Sequence, residues 1–115
     1  MKVLFHIDES ARWKMALGNI LNMLQYGREN TEAFTIELVA NGPAVQELQP
    51  EAAERTGLSA LFGALGPQVR ICACRNALQA NGIPASTLFP FVQVVPAGVV
   101  EIAARQQEGY AYIKP

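Results

Sequence analysis

The chain has 115 residues, half of them hydrophobic, with nine basic and ten acidic side chains and a formal net charge of −1. That length suits a single domain over residues 1–115, and the apolar content suits a packed core, which excludes whole-chain disorder. The charge balance argues against a dedicated nucleic-acid binder, which needs an excess of Lys and Arg, and no apolar run approaches the roughly 20 residues of a membrane span.

Met1–Asp8 reads as a strand, apolar on both faces through Val3, Leu4, Phe5 and Ile7, which suits a buried parallel strand. Asp8 and Glu9 interrupt this segment before the apolar region of a signal peptide forms, so the expected location is the cytosol. Ser10 is the expected N-cap of a helix whose stripe is Trp13, Ala16, Leu17, Ile20, Leu21 and Leu24, with Gly27 as its stop. Phe34–Ala40 is the second strand, and Asn41-Gly42-Pro43 turns the chain into a second helix with Pro43 in its first turn.

The stretch Gln49–Gly66 is the least regular. Pro50 opens a short helix through Glu54, Gly57 breaks it, and Leu58–Leu65 forms another turn or two before Gly66-Pro67 closes the segment. Val69–Ala73 is the third strand, and a helix starting at Cys74 or Arg75 ends at Asn81-Gly82. Ile83–Pro90 is loop with a helical turn after Ser86, and Phe91–Val95 is the fourth strand. Pro96 starts the last helix, whose apolar face is Val99, Val100, Ile102 and Ala103; Gly109 ends it, and Tyr110–Ile113 is a short fifth strand. Strand–helix alternation of this kind predicts an α/β fold, an open parallel sheet with helices on both faces.

Charge is sparse and unevenly placed. Charged residues are 17% of the chain, against about 25% in an average soluble domain. Between Leu58 and Val100 the only charges are Arg70 and Arg75. A domain this small has too much surface to cover such a stretch alone. Part of it is therefore expected to lie against another subunit, because charge-depleted patches mark interface cores. The alternative is a free surface built of Ala, Gly, Ser and Gln.

Several chemistries can be set aside. A single histidine excludes His-pair metal motifs and zinc fingers. No Walker-type phosphate loop occurs, and the turn Asp8-Glu9-Ser10-Ala11-Arg12 lacks the glycines of a dinucleotide fingerprint. No Gly-x-Ser-x-Gly elbow is present.

Open parallel sheets bind ligands beyond the carboxyl ends of their strands. Here those ends carry Asp8, Asn41-Gly42, Cys74 and Pro96-Ala97-Gly98. Cys74 is the one strong nucleophile among them. At the start of a helix a thiolate faces unpaired N–H groups and the positive end of the dipole, and Arg75 adds positive field. The functional reading is a thiol that attacks or carries sulfur; the structural one is a buried cysteine acting as a small hydrophobe. Cys72, inside the strand, has packing as its default role. A Cys72–Cys74 disulfide sits near the geometric limit for i and i+2 in an extended strand. His6 is either a proton relay beside the site or a core histidine with one satisfied nitrogen. Asp8 is expected to be solvated or to cap the first helix, Asn41 to cap the second, Asn76 to bond backbone around the thiol, and Trp13 to pack.

From Cys74 onward the sequence resembles a known group. Ala73-Cys74-Arg75-Asn76-Ala77-Leu78, Val94-Val95-Pro96-Ala97-Gly98-Val99 and Arg105–Pro115 look like the small DsrE/DsrF-like proteins. Phe5-His6-Ile7-Asp8, the Trp13 helix and Val39-Ala40-Asn41-Gly42-Pro43-Ala44-Val45 extend the resemblance over nearly the whole chain. It implies a three-layer α/β/α fold with a five-stranded parallel sheet in the order 4-3-2-1-5, assembled as a dimer, trimer or hexamer. Sulfur-relay members carry a cysteine at the end of the third strand that accepts sulfur as a persulfide and passes it on, and Cys74 stands at that position. The implied partners are a sulfur donor or acceptor protein and further copies of the chain, with no nucleic acid and no membrane. A persulfide needs neither metal nor organic cofactor. Asn41, Gly42, Pro96 and Gly98 would shape the pocket. The competing reading is a non-catalytic oligomer that binds a small ligand or a partner protein at the same strand ends.

Overall fold

The computed structural model describes all residues 1–115. Strands β1 (Lys2–Ile7), β2 (Thr35–Ala40), β3 (Val69–Cys74), β4 (Val92–Val95) and β5 (Ala111–Ile113) form one parallel sheet in the order β4-β3-β2-β1-β5. The register places His6 beside Val39, Leu4 beside Tyr112, Glu37 beside Arg70 and Cys74 beside Val95. The α-helices are α1 (Trp13–Asn30), α2 (Pro50–Arg55), α3 (Ser59–Leu65), α4 (Arg75–Ala80) and α5 (Gly98–Gln107).

Because side chains alternate along a strand, each strand feeds two cores. Val3, Phe5 and Ile7, with Ile36, Leu38 and Ala40 and with Val69, Ile71 and Ala73, pack against residues of α1, α2, α3 and α4. Leu4, Val39, Cys72 and Val95 face the other way, onto Ile102 of α5, with Tyr110 packed against them. The three layers are thus unequal, with four helices on one face and one on the other. No helix is long and apolar enough to cross a membrane.

Local details depart from the sequence reading where tertiary contacts intervene. Ser10 does not cap α1. It opens a short 3-10 turn, Ser10–Arg12, and its hydroxyl donates to the Pro43 carbonyl at 3.4 Å. Gly27 does not stop α1, which runs on to Asn30 and ends on Thr31 in the left-handed region (φ 53°). The glycine is needed for close approach: a Cβ there would lie 2.6 Å from the Glu32 carbonyl oxygen. Pro43 lies in a 3-10 stretch, Gly42–Leu48, rather than an α-helix. The turn in the loop before β4 starts at Ala85, ahead of Ser86.

The last helix shows the largest difference. It begins at Gly98, not Pro96, and the face it buries contains Gly98 and Ile102. Val99 and Val100 are 65% and 66% exposed. Glu101 and Arg105 on α5 reach charged partners on the sheet, and this rotates the two valines outward. Trp13 packs as expected, with its indole N–H donating to the Ala44 carbonyl at 2.9 Å and its ring against Phe62.

Candidate functional site

At the carboxyl end of the sheet, β2, β3 and the entry to α5 converge on an open depression of about 540 Å³. Asn41, Gly42, Cys74, Asn76, Gly98 and Val99 are among the residues that line it. Two glycines make this convergence possible. Gly42 adopts φ +56°, which turns the chain sharply off β2, and a Cβ there would stand 3.2 Å from the Asp8 carbonyl oxygen. Gly98 lets α5 rest directly on the strand ends: its Cβ would lie 3.2 Å from the Cβ of Cys74 and 3.3 Å from that of Asn41.

Cys74 is the last residue of β3 and the N-cap of α4, with extended backbone (φ −70°, ψ 121°) and no side-chain cap bond. It is 7% exposed, at the floor of the depression, and it is a free thiol. Asn76 stands exposed on the rim and makes no hydrogen bond to the backbone around the thiol. Asn41 occupies the cap position before the 3-10 stretch without capping it. Its Oδ1 lies 2.9 Å from His6 Nε2, and His6 Nδ1 lies 2.6 Å from the Tyr112 hydroxyl. His6 therefore touches the site only through Asn41. Asp8 caps no helix. Its carboxylate pairs with Lys114 at 2.8 Å, and the hydrogen bond from that ammonium holds its pKa below the ordinary range. Pro96 is exposed and lies off the depression, since α5 starts two residues later. Of the expected site residues, Asn41, Gly42, Cys74, Asn76 and Gly98 come together; His6 and Asp8 stand to one side and Pro96 apart.

A second polar cluster escaped the sequence reading. Glu37 is 1% exposed, in the middle of β2 on the α5 face. Arg105 Nε lies 2.8 Å from its Oε2, and Arg70 Nε lies 3.6 Å from the same oxygen. Glu101 joins through Arg105 at 3.1 Å and Arg70 at 3.8 Å. The Cys72 thiol sits 3.5 Å from Glu37 Oε1 and 3.3 Å from Arg70 Nε. Burial pushes the Glu37 carboxyl up to about 7, with the Glu101 carboxylate adding to the rise against the pull of the two guanidiniums. A shared proton donated by Glu37 lowers Glu101 in turn. Burial also raises Cys72, to about 11, against the hydrogen bond from Arg70, which leaves it a neutral thiol. Ligand atoms of Glu37, Cys72 and Glu101 lie within 4.8 Å of one another, but the guanidiniums already supply the positive charge a metal would bring. The available signal was a glutamate inside an otherwise apolar strand, with the lone arginine of the next strand opposite it.

An apolar groove of about 460 Å³ lies at the other end of the strands, between Phe62, Leu65, Val69 and Phe91. It carries no nucleophile.

The sequence profile of the DsrE/DsrF-like family matches residues 1–115. Among solved structures, the chain is similar to that of a protein of unknown function, MTH1491 from Methanobacterium thermoautotrophicum. The two share 36% identity with a TM-score of 0.81, over 99% of this chain and 98% of that one. No curated protein matches. With its full length matched by the family profile and its sheet order that implied by the family resemblance, the chain belongs to the DsrE/DsrF-like family.

Proposed function

We propose that the chain is a sulfur carrier, in which Cys74 accepts sulfane sulfur as a persulfide and hands it to an acceptor. The supporting observation is the position of Cys74: a free thiol at the carboxyl end of β3, on the floor of an open depression, in a member of the DsrE/DsrF-like family. The chemistry balances without a cofactor. The Cys74 thiolate attacks the outer sulfur of a donor persulfide R–S–SH, an S–S bond forms to Cys74, and the donor's own S–S bond breaks. The donor leaves as thiolate R–S⁻ with the bonding pair, and the proton stays with whichever sulfur is more basic. An acceptor thiolate repeats the step on Cys74. Cys72 lies too deep and is too weakly acidic to compete.

A homo-oligomer is part of this reading. Exposed Val99 borders the depression and exposed Val100 follows it, so a second copy laid on this end of α5 would wall the site. The carrier is placed in the cytosol, where thiols stay reduced.

The test is intact-protein mass spectrometry after incubation with sodium polysulfide. Wild type and Cys72→Ser should gain the mass of one sulfur atom, and Cys74→Ser should not. Equal uptake by Cys74→Ser, or none by wild type, defeats the proposal. The near-complete burial of Cys74 favours a second reading, a binding protein that takes a small ligand at the strand ends without thiol chemistry. Absence of sulfur uptake would leave that reading in front.

A further inference from the structure

Tyr112, His6 and Asn41 form a hydrogen-bonded row across the ends of β5, β1 and β2, on the same side of the sheet as α5. The chemistry of its members sets its polarity. An amide oxygen only accepts, so His6 Nε2 carries a hydrogen and donates it to Asn41 Oδ1. In the neutral ring, Nδ1 then accepts from the Tyr112 hydroxyl. When the ring is protonated, Nδ1–H donates to the Tyr112 oxygen instead, and the hydroxyl hydrogen turns toward solvent, where Tyr112 is 40% exposed. Tyr112 reverses its role and Asn41 does not. The Asn41 amide therefore keeps one orientation in both states, with its Nδ2 group turned from His6.

That Nδ2 group makes no hydrogen bond within the chain. By contrast, Asn81 on the same depression already donates to the Ala77 carbonyl at 2.8 Å. Asn41 and Cys74 both line the depression, and their Cβ atoms both touch the point where a side chain on Gly98 would begin. An amide can donate a hydrogen bond but cannot relay a proton. His6 is thus cut off from the thiol as a base and can act only through the orientation of Asn41.

We propose that the Asn41 amide N–H is the side-chain donor that holds the terminal sulfur anion of the Cys74 persulfide, and that His6 and Tyr112 are positioning residues that fix it. This rests on the sulfur-carrier reading of Cys74. The terminal sulfur extends one bond beyond Sγ into a depression whose lining includes no charged side chain. A neutral donor on the wall of such a site stabilises an anion and adds no charge when the site is empty.

The experiment measures how sulfane sulfur partitions at equilibrium between Cys74 and glutathione, read by intact-protein mass spectrometry after loading with sodium polysulfide. Asn41→Ala should shift the partition toward glutathione by about tenfold, the worth of one hydrogen bond to an anion. Asn41→Asp should shift it at least as far, because it keeps an acceptor for His6 but puts an oxygen where the NH₂ group stood. His6→Gln, whose amide N–H can reach Asn41 Oδ1, should stay near wild type, while His6→Leu moves toward Asn41→Ala. That split separates positioning from a general loss of structure, and Asn41→Asp serves if Asn41→Ala fails to fold. Wild-type partition in both Asn41 variants, with Cys74 still loaded, overturns the role of Asn41 and leaves the carrier reading intact. A wild-type protein that takes no sulfur at Cys74 overturns the carrier reading, and this proposal with it.

Discussion

Replacing Glu37 by Gln should change the pH dependence of stability more than its absolute level. The Glu37 carboxyl titrates near 7 in the fold against 4.5 for the ordinary group, chiefly because it is buried. Between those values the unfolded chain gives up this proton while the folded chain keeps it, so stability falls as the pH rises through the window. The loss is complete above the folded value, and the gap is worth on the order of 3 kcal/mol. Gln resembles the protonated acid in size and can still donate to Glu101, but it does not titrate. Urea denaturation of the two proteins at pH 4, 6 and 8.5 reads this group together with Glu101, whose titration is tied to it, while the titrations away from this cluster are common to both. The Gln variant should match wild type at pH 4 and exceed it by about 3 kcal/mol at pH 8.5. A difference that stays constant with pH would refute the argument. It would mean that Arg105 and Arg70 hold Glu37 ionised in the fold.

Gly98→Ala should destabilise the protein by about 1–3 kcal/mol, the usual cost of overpacking, because the new methyl meets the Cβ atoms of Cys74 and Asn41 at 3.2 and 3.3 Å; chemical denaturation reads the loss. Trp13→Phe removes the buried indole hydrogen bond to the Ala44 carbonyl, at 2.9 Å. Losing that bond should cost about 1 kcal/mol, again read by urea unfolding, and a neutral outcome would mean that water replaces the indole.

Periodicity and end signals sufficed for the parallel α/β architecture. Apolar runs such as Val3–Ile7 suit doubly covered strands, and the helical stripe from Trp13 to Leu24 suits a face turned to the core, as the structure has them. These are local patterns, so they are legible residue by residue. The strand ends were legible for the same reason, which is why Asn41, Gly42, Cys74 and Gly98 could be named before their meeting was visible. What the chain alone left open depends on contacts between distant segments. Val99 and Val100 belong to an apolar stripe by sequence, but the ion pairs of Glu101 and Arg105 with β2 and β3 rotate the helix and expose them. Asn41 looks like a cap, yet its amide oxygen is taken by His6, a residue 35 positions away whose strand lies alongside. Glu37 reads as one polar residue in a strand until folding carries Arg105 onto it from the far end of the chain. The pattern of apolar residues determines which surfaces must be covered; which polar atom each buried polar group meets is decided only when the layers close, because burial makes every unpaired partner costly.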